Sequence, residues 1–406
     1  MKTAKQITLM LCLTLLLTTA CVGVQQQAAP ASDSGSGEPA LKIGMITTLS
    51  GPGAALGVDV QDGFALAVDH LGGTLGGLPV ELSVSDDQLN ADVAKQAVEK
   101  ALKQDKVDFL TGIIFSNVLL AVSDTVFEAE TFYISPNAGP SALAGEGCNP
   151  FFFNVAWQND NMHEAMGKYV MDQGYTNVYI LAPNYPAGVD ALTGFKRYYT
   201  GGLADEIYTQ VNQLDFAAEM AQIRAAAPDA VYTFQPGGSG INFIKQYAEA
   251  GLLEEIPLFV PGFSADADVI KAVGEPMVGI YNTSHWALEL ENAANQKFVA
   301  DFQQKYNRVP TLYASQGYDA ALLIDAAVKA VNGDLSDKAA VRKALETATF
   351  DSVRGDFQFN TNHFPIQDYY LRQVIKNDQG EIVNQLVGEV FTDHADAYVE
   401  QCQMAE

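Results

Sequence analysis

Two short breaks in an apolar sequence carry the residue types that hold anions. The first reads GIIFSN (112–117) and the second SPNAG (135–139), and each follows an apolar run. Ser116, at a predicted helix N-terminus, offers a hydroxyl and bare backbone N–H groups, and the positive end of the helix favours negative charge there. Phe115 and Asn117 flank it. In the second break Asn137, Ala138 and Gly139 let a ligand approach the backbone, and Gly139 can take conformations that other residues avoid. Two such loops on adjacent strands form a carboxylate grip without an arginine. The plainer alternatives are that Ser116 only caps its helix and that residues 135–140 are only a turn.

Patterns for covalent or metal chemistry do not accompany them. No GxGxxG opens the first helix, and GPGAALG (51–57) has the wrong spacing for nucleotide phosphates. There is no GxSxG, CxxC or HExxH. His70, His163, His285, His363 and His394 are not spaced as metal ligands and read as structural or exposed. The expectation is a binding protein, not an enzyme, with no metal and no cofactor.

The elements that must position the two breaks follow from periodicity. LKIGMITTLS (41–50) reads as a strand, residues 58–71 as a helix, 78–87 as a strand, ADVAKQAVEKALKQ as a helix and 107–113 as a strand. A helix over about 118–130 leads into the strand TFYIS. After Asn159 the alternation starts again, with strands at 176–183, in EIYTQ, at 229–236 and at 256–262, separated by helices. Two such runs predict two α/β lobes with parallel sheets. Helices over 292–306 and 312–331 and the segment AAVRKALETA follow, then GDFQFN and DYYLRQVIKN, whose alternation predicts antiparallel strands. With too few strands for a third sheet, this part is expected to return to the first lobe and cross again to the second. Crossings near Trp157, His285 and Asn360 would make a multi-stranded hinge, with lobe 1 at 40–156 plus 286–360 and lobe 2 at 157–285 plus 361–400.

The first twenty residues have the layout of an export signal, with Lys2 and Lys5 ahead of a short apolar run ending at Ala20. LTTAC resembles the lipobox of bacterial lipoproteins, with Thr18 where Leu is preferred, so Cys21 reads as a lipid-bearing N-terminus; plain secretion is the alternative. Residues 25–39 are small and polar, and 21–39 read as a flexible tether. Forty-nine acidic residues against 23 basic ones argue against nucleic acid or an anionic membrane surface as a partner. With Cys12 in the signal and Cys21 lipidated, Cys148 and Cys402 remain, and an oxidising compartment would join them, two buried thiols being the alternative.

LKIGMITTLSGPGAALGVDVQDGFALAVD, DFLTGIIFSNVLLAVSDTVFEAETFYISPNAGPS and DFAAEMAQIRAAAPDAVYTF together resemble the branched-chain amino-acid type of substrate-binding protein from ABC importers, the type I periplasmic binding proteins, over about 40–400. The resemblance implies hinged lobes that deliver a small carboxylate to a membrane permease driven by separate ATPase subunits. It implies a carboxylate grip at Ser116 with the backbone of Ala138 and Gly139. Where amino-acid binders place a Glu for the ligand ammonium, this sequence has Gly262 and Phe263, and Leu56 stands where a tyrosine is common. Without that carboxylate a buried ammonium would be poorly compensated. SPNAGPSALAGEGCNPFFFNVAWQND and APNYPAGVDALTGFKRYY are similar to members associated with aromatic carboxylates. The expected ligand is therefore an aromatic acid, with Phe115, Trp157, Tyr185 and Phe263 around the ring and Asn184 or Gln235 meeting a ring hydroxyl. An aliphatic amino acid is the alternative ligand. A ligand-sensing module, expected to carry a fused kinase, DNA-binding domain or transmembrane helix, is the alternative function.

Overall fold

The computed structural model describes residues 40–404. The signal, Cys21 and the tether lie outside them. Strands β1 (Leu41–Thr47), β2 (Thr74–Leu75), β3 (Leu78–Asp86), β4 (Phe109–Thr111), β5 (Phe132–Ser135) and β6 (Phe152–Asn154) form a six-stranded sheet in the order β2-β3-β1-β4-β5-β6. All its pairs are parallel except the β2–β3 hairpin. β1 and β4 to β6 are apolar and buried almost throughout, as parallel strands covered on both faces must be.

The second sheet contains β7 (Asn177–Pro183), β8 (Gly202–Thr209), β9 (Ala230–Thr233), β10 (Leu258–Pro261), β11 (Tyr281–Ser284), β12 (Gln358–Phe359), β13 (Pro365–Lys376) and β14 (Ile382–His394). β7 to β11 are parallel; β13 runs antiparallel to β11, with β14 and β12 antiparallel to β13.

Helices α1 (Ala54–His70), α2 (Ala91–Lys100), α3 (Ser116–Glu128) and α4 (Ser141–Ala144) belong to the first strand run. The second run carries α5 (Asn161–Asp172), α6 (Pro186–Tyr198), α7 (Ala217–Ala226), α8 (Gly238–Glu249) and α9 (Ala267–Val273). Later in the chain, α10 (Ala293–Tyr306), α11 (Leu312–Ala330) and α12 (Lys338–Glu346) follow, and α11 packs on α1. That contact is close because both helices carry glycine where they meet: a Cβ at Gly63 would lie 1.9 Å from the Ala314 carbonyl oxygen, and one at Gly317 2.1 Å from that of Val60. Leu56, Val60, Phe64 and Ala67 form the buried stripe of α1 at helical spacing.

The chain leaves the first sheet after Asn154 and the second after Ser284. Residues 359–364 lie against β6: the Asn154 N–H donates to the His363 carbonyl (3.0 Å), and the Phe359 and His363 rings pack on Phe153. β13 then returns to the second sheet. Strands β6, β11 and β14 were not legible by alternation. β6 is short and wholly buried, β11 nearly so, and β14 is mostly exposed, so none shows a clean period of two.

Cys148 and Cys402 are bonded, with Cα atoms 5.6 Å apart across 254 residues of sequence. The bond ties the C-terminal segment to the loop after α4, which excludes the alternative of two free thiols. Replacing both cysteines by serine is expected to lower the unfolding free energy by about 2–5 kcal/mol, read from the urea midpoint, while leaving ligand affinity unchanged. An unchanged midpoint would mean that Tyr398, bonded to Arg197 and Asp160, secures the tail by itself.

Candidate functional site

In each sheet the chain runs to one side of its first strand and then returns to the other, creating a switch point between β1 and β4 and another between β7 and β9. Ligands of open parallel sheets sit beyond the carboxyl ends of strands at such points. Both switch points open on one cavity. Leu56 on α1 and Ile114, Phe115 and Ser116 after β4 line it from the first lobe; Tyr185 and Ala187 after β7 and Phe234 and Pro236 after β9 line it from the second. Asn137, Trp157, Asn159, His163, Phe263 and Tyr313 complete the wall.

At its polar end Ser116 is the first residue of α3, with Phe115 in the capping position and no side-chain cap. Ser116 is therefore not an N-cap. The Phe115 carbonyl accepts from the Val118 and Leu119 N–H groups (3.0 Å each), while the amides of Ser116 and Asn117 have no acceptor among the described residues. Asn159 Nδ2 donates to Ser116 Oγ (3.1 Å), which leaves the hydroxyl proton free to donate elsewhere. The same Nδ2 reaches Asp190 Oδ2 (2.9 Å), and Asp190 also receives the Ser141 N–H (3.0 Å) and hydroxyl (2.6 Å). Burial pushes the Asp190 carboxyl up, and the bonds from Ser141 and Asn159 oppose that shift. Two amides, one hydroxyl and a helix dipole thus converge on a point suited to a carboxylate.

Away from that end, aromatic rings form a connected group on the wall. Tyr185 stacks near Phe234 (centroids 6.0 Å apart) and lies 6.3 Å from Phe115; Phe234 meets Phe263 edge-on at 5.3 Å. Phe263 continues to Trp157 at 6.2 Å and to Tyr313 at 6.3 Å. Burial raises the phenols of Tyr185 and Tyr313 far above the ordinary range, so both stay neutral donors. The enclosed volume is ≈ 30 Å³, against roughly 10–15 Å³ for one water.

Of the residues singled out from sequence, Phe115, Ser116, Asn137, Trp157, Tyr185 and Phe263 lie on this wall. Asn137 Nδ2 donates to the Ile114 carbonyl (2.6 Å), fixing the loop, and its Oδ1 is buried with no partner. Ala138 and Gly139 do not line the cavity. The Gly139 N–H is committed to Asn159 Oδ1 (3.1 Å), and a Cβ there would lie 2.1 Å from the Trp157 carbonyl oxygen. Gly139 thus serves close packing, not ligand contact. The Ala138 carbonyl is taken by Ser135 and Asn154. Asn184 is exposed, and Gln235 is buried with its Nε2 donating to Thr209 Oγ1 (3.0 Å) and its Oε1 unpartnered; neither lines the cavity. Asn117 is off the wall, and its backbone amide has no acceptor among the described residues. Asn159, His163, Phe234 and Tyr313 were missed: Phe234 precedes Gln235 in the same strand-end loop, and Tyr313 sits in a helix whose face reads as core.

Hinged α/β lobes closing on a small cavity at facing strand ends define a protein that engulfs a solute. Residues 40–380 match the periplasmic binding protein family model, and the chain belongs to that family. It is 26% identical over 353 residues to Leu/Ile/Val-binding protein homolog 6 of Brucella melitensis, covering 85% of this chain and 90% of that one. A solute-binding protein of an ABC transporter from R. palustris, in complex with benzoate, superposes with a TM-score of 0.85 at 34% identity, covering 90% of this chain and 100% of that one. Another, from Rhodopseudomonas palustris BisB5 in complex with 3,4-dihydroxy benzoic acid, has a TM-score of 0.83 at 27% identity, covering 88% and 99%. The family is one of exported solute-binding proteins, and among the described residues no helix is long and apolar enough to cross a membrane.

Two expectations follow. Asn159→Ala should weaken ligand binding more than Ser116→Ala in calorimetry, because it frees both loops and leaves Asp190 short of a donor; equal or smaller loss would remove Asn159 from the grip. Burial depresses His163 from 6.5 to about 3. Between those values the unfolded chain binds a proton that the folded chain refuses, so wild-type stability relative to His163→Phe should fall as pH drops from 6.5 toward 3 in urea titrations. A difference independent of pH would mean that His163 is charged in the fold.

Proposed function

We propose that this solute-binding protein captures an aromatic carboxylate between its lobes and hands it to the membrane permease of an ABC importer with separate ATPase subunits. The observation that carries the reading is the composition of the wall: no Asp, Glu, Lys or Arg lines the cavity, while Phe115, Trp157, Tyr185, Phe234, Phe263 and Tyr313 all do. An amino-acid ammonium would find no counter-charge there, and an uncompensated buried charge is strongly disfavoured. Phe263 occupies the strand end where a carboxylate would be needed, and the neighbouring Asp266 is held by Arg372 (3.0 Å). A carboxylate alone is served by Ser116 and the α3 amides, and the ring by Trp157, Tyr185, Phe234 and Phe263. The similar R. palustris proteins in complex with benzoate and with 3,4-dihydroxy benzoic acid support the same class.

The reading includes export and tethering: residues 1–20 as signal, Cys21 as the lipid-bearing residue and 21–39 as the spacer. It also keeps the lobe boundaries at 40–156 plus 286–360 and 157–285 plus 361–400. A second reading, an aliphatic amino acid, is favoured by the name of the Brucella relative and by the unpartnered Asn137 Oδ1, which could accept from an ammonium. Calorimetric titration of the refolded, ligand-free body with benzoate, hydroxybenzoates, phenylpyruvate and leucine separates the two. Aromatic acids should bind while leucine gives no heat. Leucine binding with the acids silent would overturn the assignment.

A further inference from the structure

We infer that His163 reads an oxygen substituent on the ligand ring through an Nε2–H donor, and that Tyr232 fixes the tautomer which provides it. This rests on the aromatic-acid reading and adds a specificity determinant to it. His163 stands in the first turn of α5, buried and on the cavity wall beside Phe234 (centroids 5.2 Å) and Phe263 (6.4 Å). Its Nδ1 is hydrogen-bonded to the Tyr232 hydroxyl, which comes from the interior of β9. Tyr232 is fully buried, and its hydroxyl has no other partner among the described residues.

That pairing decides where the imidazole proton sits. A buried hydroxyl whose only neighbour is Nδ1 must donate to it or leave its own proton unaccepted, and an unpaired buried donor is the costlier state. Nδ1 is then the acceptor, and the single proton of a neutral imidazole lies on Nε2. Burial keeps the ring neutral throughout the physiological range. Nε2 has no partner among the described residues, so the wall carries a desolvated, uncharged donor among hydrocarbon rings.

Ser116 belongs to the first lobe, whereas α5 packs on α6 and β11 of the second. A ligand held by its carboxylate at Ser116 therefore meets His163 from the opposite lobe. A ring bearing hydroxyl or ether oxygen satisfies the Nε2–H and joins the lobes; a ring bearing only carbon leaves it unpaired. Sites built to hydrogen-bond a substrate oxygen discriminate against analogues lacking it.

The test compares each hydroxybenzoate isomer with the methylbenzoate of the same pattern, which matches its size but cannot accept a hydrogen bond. Calorimetry on wild type should show at least one hydroxyl isomer binding about tenfold or more tighter than its methyl counterpart. Tyr232→Phe, which keeps the imidazole but frees its tautomer, should reduce that preference. The double variant His163→Phe, Tyr232→Phe removes both polar partners together, guarding the fold, and should abolish the preference, read as the ratio of hydroxyl-acid to methyl-acid affinity. ¹⁵N spectra of histidine-labelled wild type should show a protonated Nε2 and a pyridine-type Nδ1 for His163. No oxygen preference in wild type, a preference that survives the double variant, or a protonated Nδ1 would each overturn the inference while leaving the aromatic reading intact. Failure of wild type to bind any aromatic acid would instead defeat the aromatic reading, and this inference with it.

Discussion

The carboxamide of Asn159 is the contact on which the site depends. One side chain reaches Ser116 at the head of α3, the Gly139 amide after β5 and Asp190 on α6, while Asp190 holds Ser141 across the seam. Four segments that are distant in sequence take their positions from this chain of bonds, and two of them come from opposite lobes. Asn159 lies in the first crossing between the lobes, so the anion grip and the hinge share a residue. Ser116 on α3 and Asp190 on α6 thus meet at the same amide.

The chemistry of the cavity follows from what it omits. A carboxylate taken from water into a wall without cations must be stabilised by dipoles alone, and a helix N-terminus supplies them in a fixed direction. Amides and hydroxyls held by the fold need little reorganisation when the ion arrives, whereas a flexible lysine would lose side-chain freedom on ordering. Charged residues do stand close behind the wall, but they are paired. Asp266 is bound by Arg372 and by the Leu312 amide, and Asp160 by Arg197 and Tyr398. Burial and the nearby Asp190 raise Asp160 to about 7, so even this cluster carries less negative charge than its formula implies.

The fold was largely legible because the apolar runs and glycine breaks of the two parallel sheets coincide with their strand ends. β1, β3, β5 and β7 fall within the spans read from periodicity, and α3 begins two residues before the expected helix. The site was legible to the level of loops but not of side chains. Tyr185 and Asn184 are neighbours, as are Phe234 and Gln235, and extended backbone points neighbours in opposite directions. Tyr185, expected at the ring, does line the cavity, whereas in the second pair the expected Gln235 is off the wall and its neighbour Phe234 lines it. His163 and Asn159 posed a different difficulty, since the crossing that carries them joins two sheets and its direction is set by the hinge, not by any local period.

The hinge also explains why the cavity floor is so heavily packed. Arg354, from the segment before the last crossing, donates to the Ala156 carbonyl of the first crossing (3.1 Å) and to Gln367 of the last (2.6 Å), while Asp319 on α11 holds its Nε (3.0 Å). Trp157 stands next to Ala156 and turns its ring edge-on to His285 of the remaining crossing, 5.1 Å away. The Trp157 indole is thus packed on the second crossing, while the residue before it is bonded to the third.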